Sequence, residues 1–264
     1  QTWNVPACVT QVRITAAGAS GGDVDDNTGG SGAIVAGDFA VTPGETLSLI
    51  VAQKGEDGSA SGGGGGASFV ARTSAGFSGF LADSLFLIAG GGGGADLSSN
   101  GGSATGFQST ASGSGGSGAN AFGAESGGGA SAEQNGGPGS IGGSAAINGA
   151  QGGNGSDDGG FGGGGGTDGI GGGGGAGASG GNGNFGSGGS AGTSYNGGSN
   201  PVNSPAAHTG NGYVIIEYNP DACPPPPIPT MGQWALLWFG LLCFTLGLVV
   251  VWNLTRQLKG VNLQ

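Results

Sequence analysis

Seventy-one of 264 residues are glycine. A chain built this way cannot assemble an ordinary side-chain core through its middle, because glycine has no side chain to bury. Glycine also loses the most conformational freedom on folding. The middle of the chain is therefore either disordered or ordered by its own backbone hydrogen bonds. Charged residues make up only 8% and hydrophobic residues 35% of the chain, which is not the charge-rich, apolar-poor signature of disorder.

The glycine runs recur at Gly62–Gly66, Gly90–Gly94, Gly162–Gly166 and Gly171–Gly175. Collagen would need a strict Gly-X-Y period and abundant proline, and Pro138 is the only proline between Gly55 and Asn200. A disordered linker would not require the chain to return and complete a sheet afterwards. The remaining reading is polyglycine II: extended helices with three residues per turn, packed side by side. Each N–H then reaches a carbonyl of a neighbouring helix, and no apolar core is required.

Strand signals flank the glycine. Val9–Ala17 alternates apolar and polar residues, and Ala33–Val41 follows. Thr42-Pro43-Gly44-Glu45 is a turn signal before Thr46–Gln53. Ala67–Arg72, Leu85–Ala89 and Gly212–Tyr218 complete six candidate strands rich in the residues that sheets favour. The expected fold is mainly β: a small β-sandwich with an inserted polyglycine II bundle at about 90–210, plus one C-terminal apolar helix. Cys8 begins the first strand and Cys223 follows the last, so antiparallel pairing would place them at one end of the sheet. A disulfide is expected there in an exported chain, two free thiols being the alternative. Cys243 reads as a small buried thiol.

Trp234–Trp252 carries no charge and at 1.5 Å per residue spans about 29 Å, close to the hydrocarbon thickness of a bilayer. Trp234, Trp238 and Trp252 lie near its ends, while Gly240 and Gly247 would allow close helix contact. Arg256 and Lys259 follow, which places the C-terminus in the cytoplasm. Gln1 in place of Met reads as a mature N-terminus left by export, or as an arbitrary boundary. The division expected is an exported unit at 1–219, a proline-rich spacer at 220–229, the hydrophobic helix at 230–255 and a basic tail at 256–264. Sixteen carboxylates against Arg13, Lys54 and Arg72 give the part before the helix a formal charge of −13 (16 acidic, 3 basic). That sign excludes nucleic acid as a partner.

Enzyme chemistry finds no support. His208 is the one histidine, and no Ser-His-Asp set, Cys-His pair, HExxH or phosphate-loop motif surrounds it. No catalytic residue and no cofactor are expected. Calcium is the one ligand weighed. Gly163–Gly171 fits a calcium-helix repeat, with Asp168 as ligand, and Asp23, Asp25 and Asp26 form an acidic turn that reads first as solvent-exposed. Phe107, Phe122, Phe161, Phe185 and Tyr195 are either contacts at loop tips or plugs for the ends of the bundle.

Two resemblances follow from ordered motifs. Ile228-Pro229-Thr230-Met231-Gly232-Gln233-Trp234, then an apolar helix and Arg256, resembles the IPTL-CTERM sorting signal of exported bacterial proteins. Met231 stands where Leu is usual and Ala235 where Gly is usual. This resemblance implies export and a sorting protease acting near the motif. Val5-Pro6-Ala7, VTQVRITAAGASGG, GDFAVTPGETLSLIVAQKGEDG, GGGGGASFV, LFLIAGGGGG, FGGGGG and GNGYVIIEY follow one order over residues 3–218. That order is similar to the glycine-rich domain of the anaplastic lymphoma kinase and leukocyte tyrosine kinase receptors, and it implies a TNF-like (jelly-roll) sandwich carrying polyglycine II helices. No ligand-contact residue of the receptors carries over. The function expected is a structural cell-surface protein that partners itself in a coat or filament, with the helix as membrane anchor or filament core. The alternative is an anchored adhesin.

Overall fold

Val12, Ile14 and Ala16 point inward from the first long strand while Gln11, Arg13 and Thr15 stay at the surface, the period-two pattern of a sheet with one buried face. The computed structural model describes residues 1–72, 84–121, 124–137, 141–220, 223 and 233–260. In chain order the strands are β1 (Thr2–Asn4), β2 (Gln11–Ala17), β3 (Gly32–Ala40), β4 (Thr46–Ile50), β5 (Ser68–Arg72), β6 (Leu85–Ala89) and β7 (Phe107–Gln108). They continue with β8 (Ala119–Ala121), β9 (Ala124–Ser126), β10 (Thr167–Asp168), β11 (Ser194–Asn196), β12 (Ser199–His208) and β13 (Tyr213–Glu217). Helix α1 (Gln233–Gly260) ends the described chain. Among the described residues the protein is mainly β with one α-helix, and the chain divides into two units, Gln1–Cys223 and Pro224–Gln264.

The first unit contains a four-stranded sheet, β12-β3-β2-β13, and a six-stranded sheet, β1-β4-β5-β6-β11-β7. Val12, Ile14, Val35 and Phe39 from the first meet Leu47, Val70 and Leu87 from the second. Each such side chain, fully buried, contributes on the order of 1.5–3 kcal/mol. A bulge between the Val70 and Ala71 pairings turns both Phe86 and Leu87 into this core. Phe86 stacks on Phe39 at 4.8 Å, and the Arg72 guanidinium lies over the Phe86 ring.

Seven strands, β1 and β7–β12, escape the sequence signals. Residues 2–4 are too few to show a period. Ser199–His208 is polar and carries Pro201 and Pro205, yet it pairs along the edge of β3 with two register shifts. Proline is tolerated there because an edge strand has one unpaired side.

The opposite face of the six-stranded sheet presents Ile50, Phe69, Leu85 and Ile88 to a layer of alanines, among them Ala132, Ala146, Ala176 and Ala178. Beyond that layer the hydrogen bonds repeat every third residue. Gly62, Gly63, Gly64, Gly65 and Gly66 donate to the carbonyls of Ala95, Glu56, Gly165, Gly92 and Gln53. Residues three apart thus reach the same neighbouring segment, the polyglycine II arrangement. The segment 172–177 sits deepest. Gly173 and Ala176 donate to Gly62 and Gly65, Gly174 and Gly177 to Gly127 and Ala130, and Gly172 and Gly175 to Ser187 and Ser190. Its carbonyls accept from Gly91 and Gly94, from Gly181 and Asn184, and from Gly165. Backbone fills the space between segments: a methyl at Gly173 would overlap the Gly165 carbonyl, and one at Gly174 the Gly181 carbonyl.

The bundle is not confined to 90–210. Gly18–Gly22 and Gly29–Gly30 extend the β2–β3 hairpin into it, and residues 53–66 extend the β4–β5 hairpin. The sandwich strands run on as glycine helices wherever the apolar pattern stops.

Candidate functional site

Each hairpin that enters the bundle must turn at its far end, where N–H groups no longer face a neighbouring carbonyl. Acidic and amide side chains close that deficit. Asp23 Oδ1 accepts from the Gly29 N–H at 2.7 Å, Asp57 Oδ1 from the Asp23 N–H at 2.7 Å and Asn100 Oδ1 from the Thr28 N–H at 2.9 Å. Asp96, almost fully buried, accepts from the Ser98 and Ser99 N–H groups. Charged acceptors make the stronger bonds, so much of the negative charge serves as backbone capping.

Lys54 ties two of these turns together, its Nζ lying 2.8 Å from Asp23 Oδ2 and 2.6 Å from Asp57 Oδ1. Partial burial alone would lower the Lys54 pKa, but its hydrogen bonds to Asp23 and Asp57 raise it above the ordinary lysine value. Burial likewise pushes Asp57 up, and the Asp23 N–H together with the Lys54 ammonium holds it below the usual carboxylate range.

The calcium candidates do not converge. Asp23 uses one oxygen on Gly29 and the other on Lys54. Asp25 and Asp26 are exposed on the same turn, and Asp168 lies on β10 opposite Glu125. Among the described residues no group of three His, Cys, Asp or Glu side chains is placed to hold a metal ion. Asp23 serves in this turn as a backbone cap and a partner of Lys54.

The same end carries apolar side chains. Leu97, Ile170 and Phe185 are 54%, 47% and 38% exposed. Phe161 and Tyr195, by contrast, pack against the alanine layer and plug the bundle. Phe107 is on the edge strand β7, and Phe122 lies outside the described residues. Sequence reasoning passed over Leu97 and Ile170. Their signal is a single large aliphatic residue inside a polar turn between glycine runs, as in ADLSSNGG and TDGIGG.

At the opposite end of the sandwich, β13 pairs antiparallel with β2, Glu217 facing Arg13, and Cys8 is disulfide-bonded to Cys223. The chain therefore leaves this unit at the end remote from the turns. A groove of about 600 Å³ there is lined by Gln11, Arg13, Asp38, Glu217 and Tyr218. Arg13 contacts Asp38 at 2.7 Å, and Asn200 donates to the other Asp38 oxygen. The Asn200 and Arg13 bonds lower the Asp38 pKa. His208 Nε2 donates to the Asn211 carbonyl, and its ring meets Tyr213 edge-on; this is a loop brace.

The second unit holds α1. Ala235–Arg256 has a mean hydropathy of 2.3 with none of it buried, long and apolar enough to cross a membrane. Trp238, Gly240, Gly247 and Trp252 are exposed along it, and the Arg256 guanidinium lies 5.3 Å from the Trp252 ring. Thr245 and Thr255 hydroxyls donate back to the carbonyls of Leu242 and Val251, which removes unpaired donors from the helix surface. Cys243 is exposed, not buried, like every residue of α1 from Leu236 to Arg256. The helix begins one residue before Trp234, and it includes Lys259. Ile228, Pro229, Thr230 and Met231 lie outside the described residues.

No known family model matches the chain, and no curated protein matches it significantly.

Proposed function

We propose that this is an exported, non-enzymatic structural protein of the cell surface. A stiff sandwich-and-bundle unit is held by α1 and assembles with its own copies into a coat or filament. One observation carries the reading. Every residue from Leu236 to Arg256 is exposed on a helix apolar on all sides. In water such a surface must be covered, either by lipid or by the helices of neighbouring copies. Arg256 and Lys259 then favour a cytoplasmic tail, and the motif around Ile228–Met231 supports a sorting protease as a transient partner.

The test is electron microscopy of material sheared from native cells, with mass spectrometry of the same fraction. Regular filaments whose subunit retains Trp234–Trp252 support a helix-cored polymer. Carbonate-resistant membrane particles support the anchor. A soluble monomer that retains the helix overturns both. The second reading, an anchored adhesin, is favoured by the apolar side chains exposed at the turn end of the bundle.

A further inference from the structure

We infer that the turn end of the glycine bundle is a docking surface for a cationic protein segment that carries apolar side chains. Leu97, Ile170 and Phe185 occupy three adjoining turns. The Ser98 hydroxyl donates to the Gly186 carbonyl at 3.0 Å, and the Gly188 N–H donates to Ser99 Oγ at 2.8 Å. These bonds join the Leu97 turn to the Phe185 turn. On the other side, a methyl at Gly171 would meet the backbone of Asn184 and Phe185, so the Ile170 turn abuts it directly.

The turns are fixed before any partner arrives. Asp96 caps the first, and Gly169 and Gly171 take φ values of 111° and 114° in the second, which a side chain would resist. Three large apolar side chains on stiff turns give an anchor that loses little entropy on binding. Leu97 and Ile170 stand outside both buried clusters, so neither fills the core.

Charge selects the partner. Asp25 and Asp26 are exposed on the acidic turn and Asp168 on β10, two residues before Ile170, and the Asn27 amide donates to the Asp96 carbonyl, linking the acidic turn to that of Leu97. Lys54 is the only base between Arg13 and Arg72, and none follows Arg72 before Arg256. With Lys54 already held by Asp23 and Asp57, nothing at this end repels a cation. An apolar centre among carboxylates complements lysine or arginine placed beside leucine or aromatic side chains, and repels anionic lipid and nucleic acid. This gives the adhesin reading its partner chemistry, and it does not depend on where α1 resides.

The full chain in zwitterionic nanodiscs is titrated with a fluorescent amphipathic Lys–Leu peptide, against empty discs as baseline. Glu–Leu and Lys–Ser peptides serve as comparators. The Lys–Leu peptide is expected to bind best, and carbodiimide should cross-link it to Asp25, Asp26 or Asp168. Leu97→Ser, Ile170→Ser and Phe185→Ser together should weaken binding at least tenfold, and Leu97→Ser with Ile170→Ser should weaken it with the melting temperature unchanged. Asp25→Asn, Asp26→Asn and Asp168→Asn together should weaken it about threefold or more and flatten its salt dependence. Equal binding of the Lys–Ser peptide, which needs no variant, overturns the inference. So do cross-links confined to other carboxylates, unchanged binding in the apolar triple variant, or capture of neutral lipid vesicles through those three residues in place of peptide. Loss of the chain from the membrane fraction would count against the anchor and leave this result standing.

Discussion

The Gly64 amide donates to the Gly165 carbonyl at 2.7 Å, and a methyl on Gly64 would collide with the Gly174 carbonyl beside it. The close approach of segments far apart in sequence therefore depends on the missing side chain. Gly64→Ala should destabilise the unit by about 3 kcal/mol, the upper part of the usual range for overpacking. Gly137 provides the contrast, since a methyl there finds its nearest neighbour at 3.9 Å. Gly137→Ala should shift stability by less than about 0.5 kcal/mol. Urea unfolding of both variants checks this, and equal effects would mean the backbone packing is looser than described.

The sheet was legible where side chains alternate. Thr46–Gln53 and Gly212–Tyr218 were expected and contain β4 and β13, because Val, Ile and Leu mark a buried face. The glycine runs announced hydrogen-bonded backbone, but not which run would meet which. Gly64 and Gly165 carry no side chain with which to encode their pairing, so the register comes from the strands and turns that feed them. For the same reason the early boundary at Gly18 was invisible. The acidic turns read as solvated surface because capping is a matter of geometry: Asp96 is nearly buried, though its turn also carries Ser98, Ser99 and Asn100. Leu97 and Ile170 were hidden by being single residues without a period.

Lys54 and Asp57 give the turn end a pH dependence with two limbs. The Asp57 pKa is lowered by folding, so its contribution is present above the unfolded carboxylate value near ~3.9 and is lost as pH falls through the lower folded value. The Lys54 pKa is raised, so its contribution is complete below the unfolded lysine value near ~10.4 and is lost as pH rises through the higher folded one. Both groups are partly solvated, which keeps the effect small. Amide exchange at Gly29 and Gly58, whose N–H groups bond to Asp23, should be slowest between about pH 5 and 9 after correction for intrinsic rates. Lys54→Met should remove the alkaline limb. It should also raise the pH of the acid limb, because Asp23 and Asp57 then face each other without a counter-ion.

Leu242 lies near the middle of the apolar stretch Ala235–Arg256. If lipid covers α1, Leu242→Arg places a charge close to the bilayer midplane, at a cost of about 2.5–3.5 kcal/mol on insertion scales. Membrane retention after carbonate extraction should fall sharply, while Leu236→Arg, nearer the end, should be better tolerated because its guanidinium can reach the interface. Equal retention of both variants would favour helix-to-helix packing as the cover for α1.

The Cys8–Cys223 disulfide closes a loop of sequence separation 215 around the sandwich and the bundle together. Restricting the unfolded chain over that length contributes about 5 kcal/mol in the chain-entropy treatment, so Cys8→Ser with Cys223→Ser should lower the urea midpoint markedly. The bridge also sets the path of force. Tension from α1 enters the unit at Cys223 and passes directly to Cys8. A pull between the termini then runs on through residues 7–1, bypasses both β2 and β13, and need not peel β13 from the sheet edge. Pulled from its two termini, the oxidised chain should extend only outside residues 8–223. Under reducing conditions the same pull should release the enclosed chain, a sequence separation of 215, for a gain of roughly 750 Å at ~3.5 Å per residue. Long extension steps of equal size with and without reductant would show that the bridge carries no load.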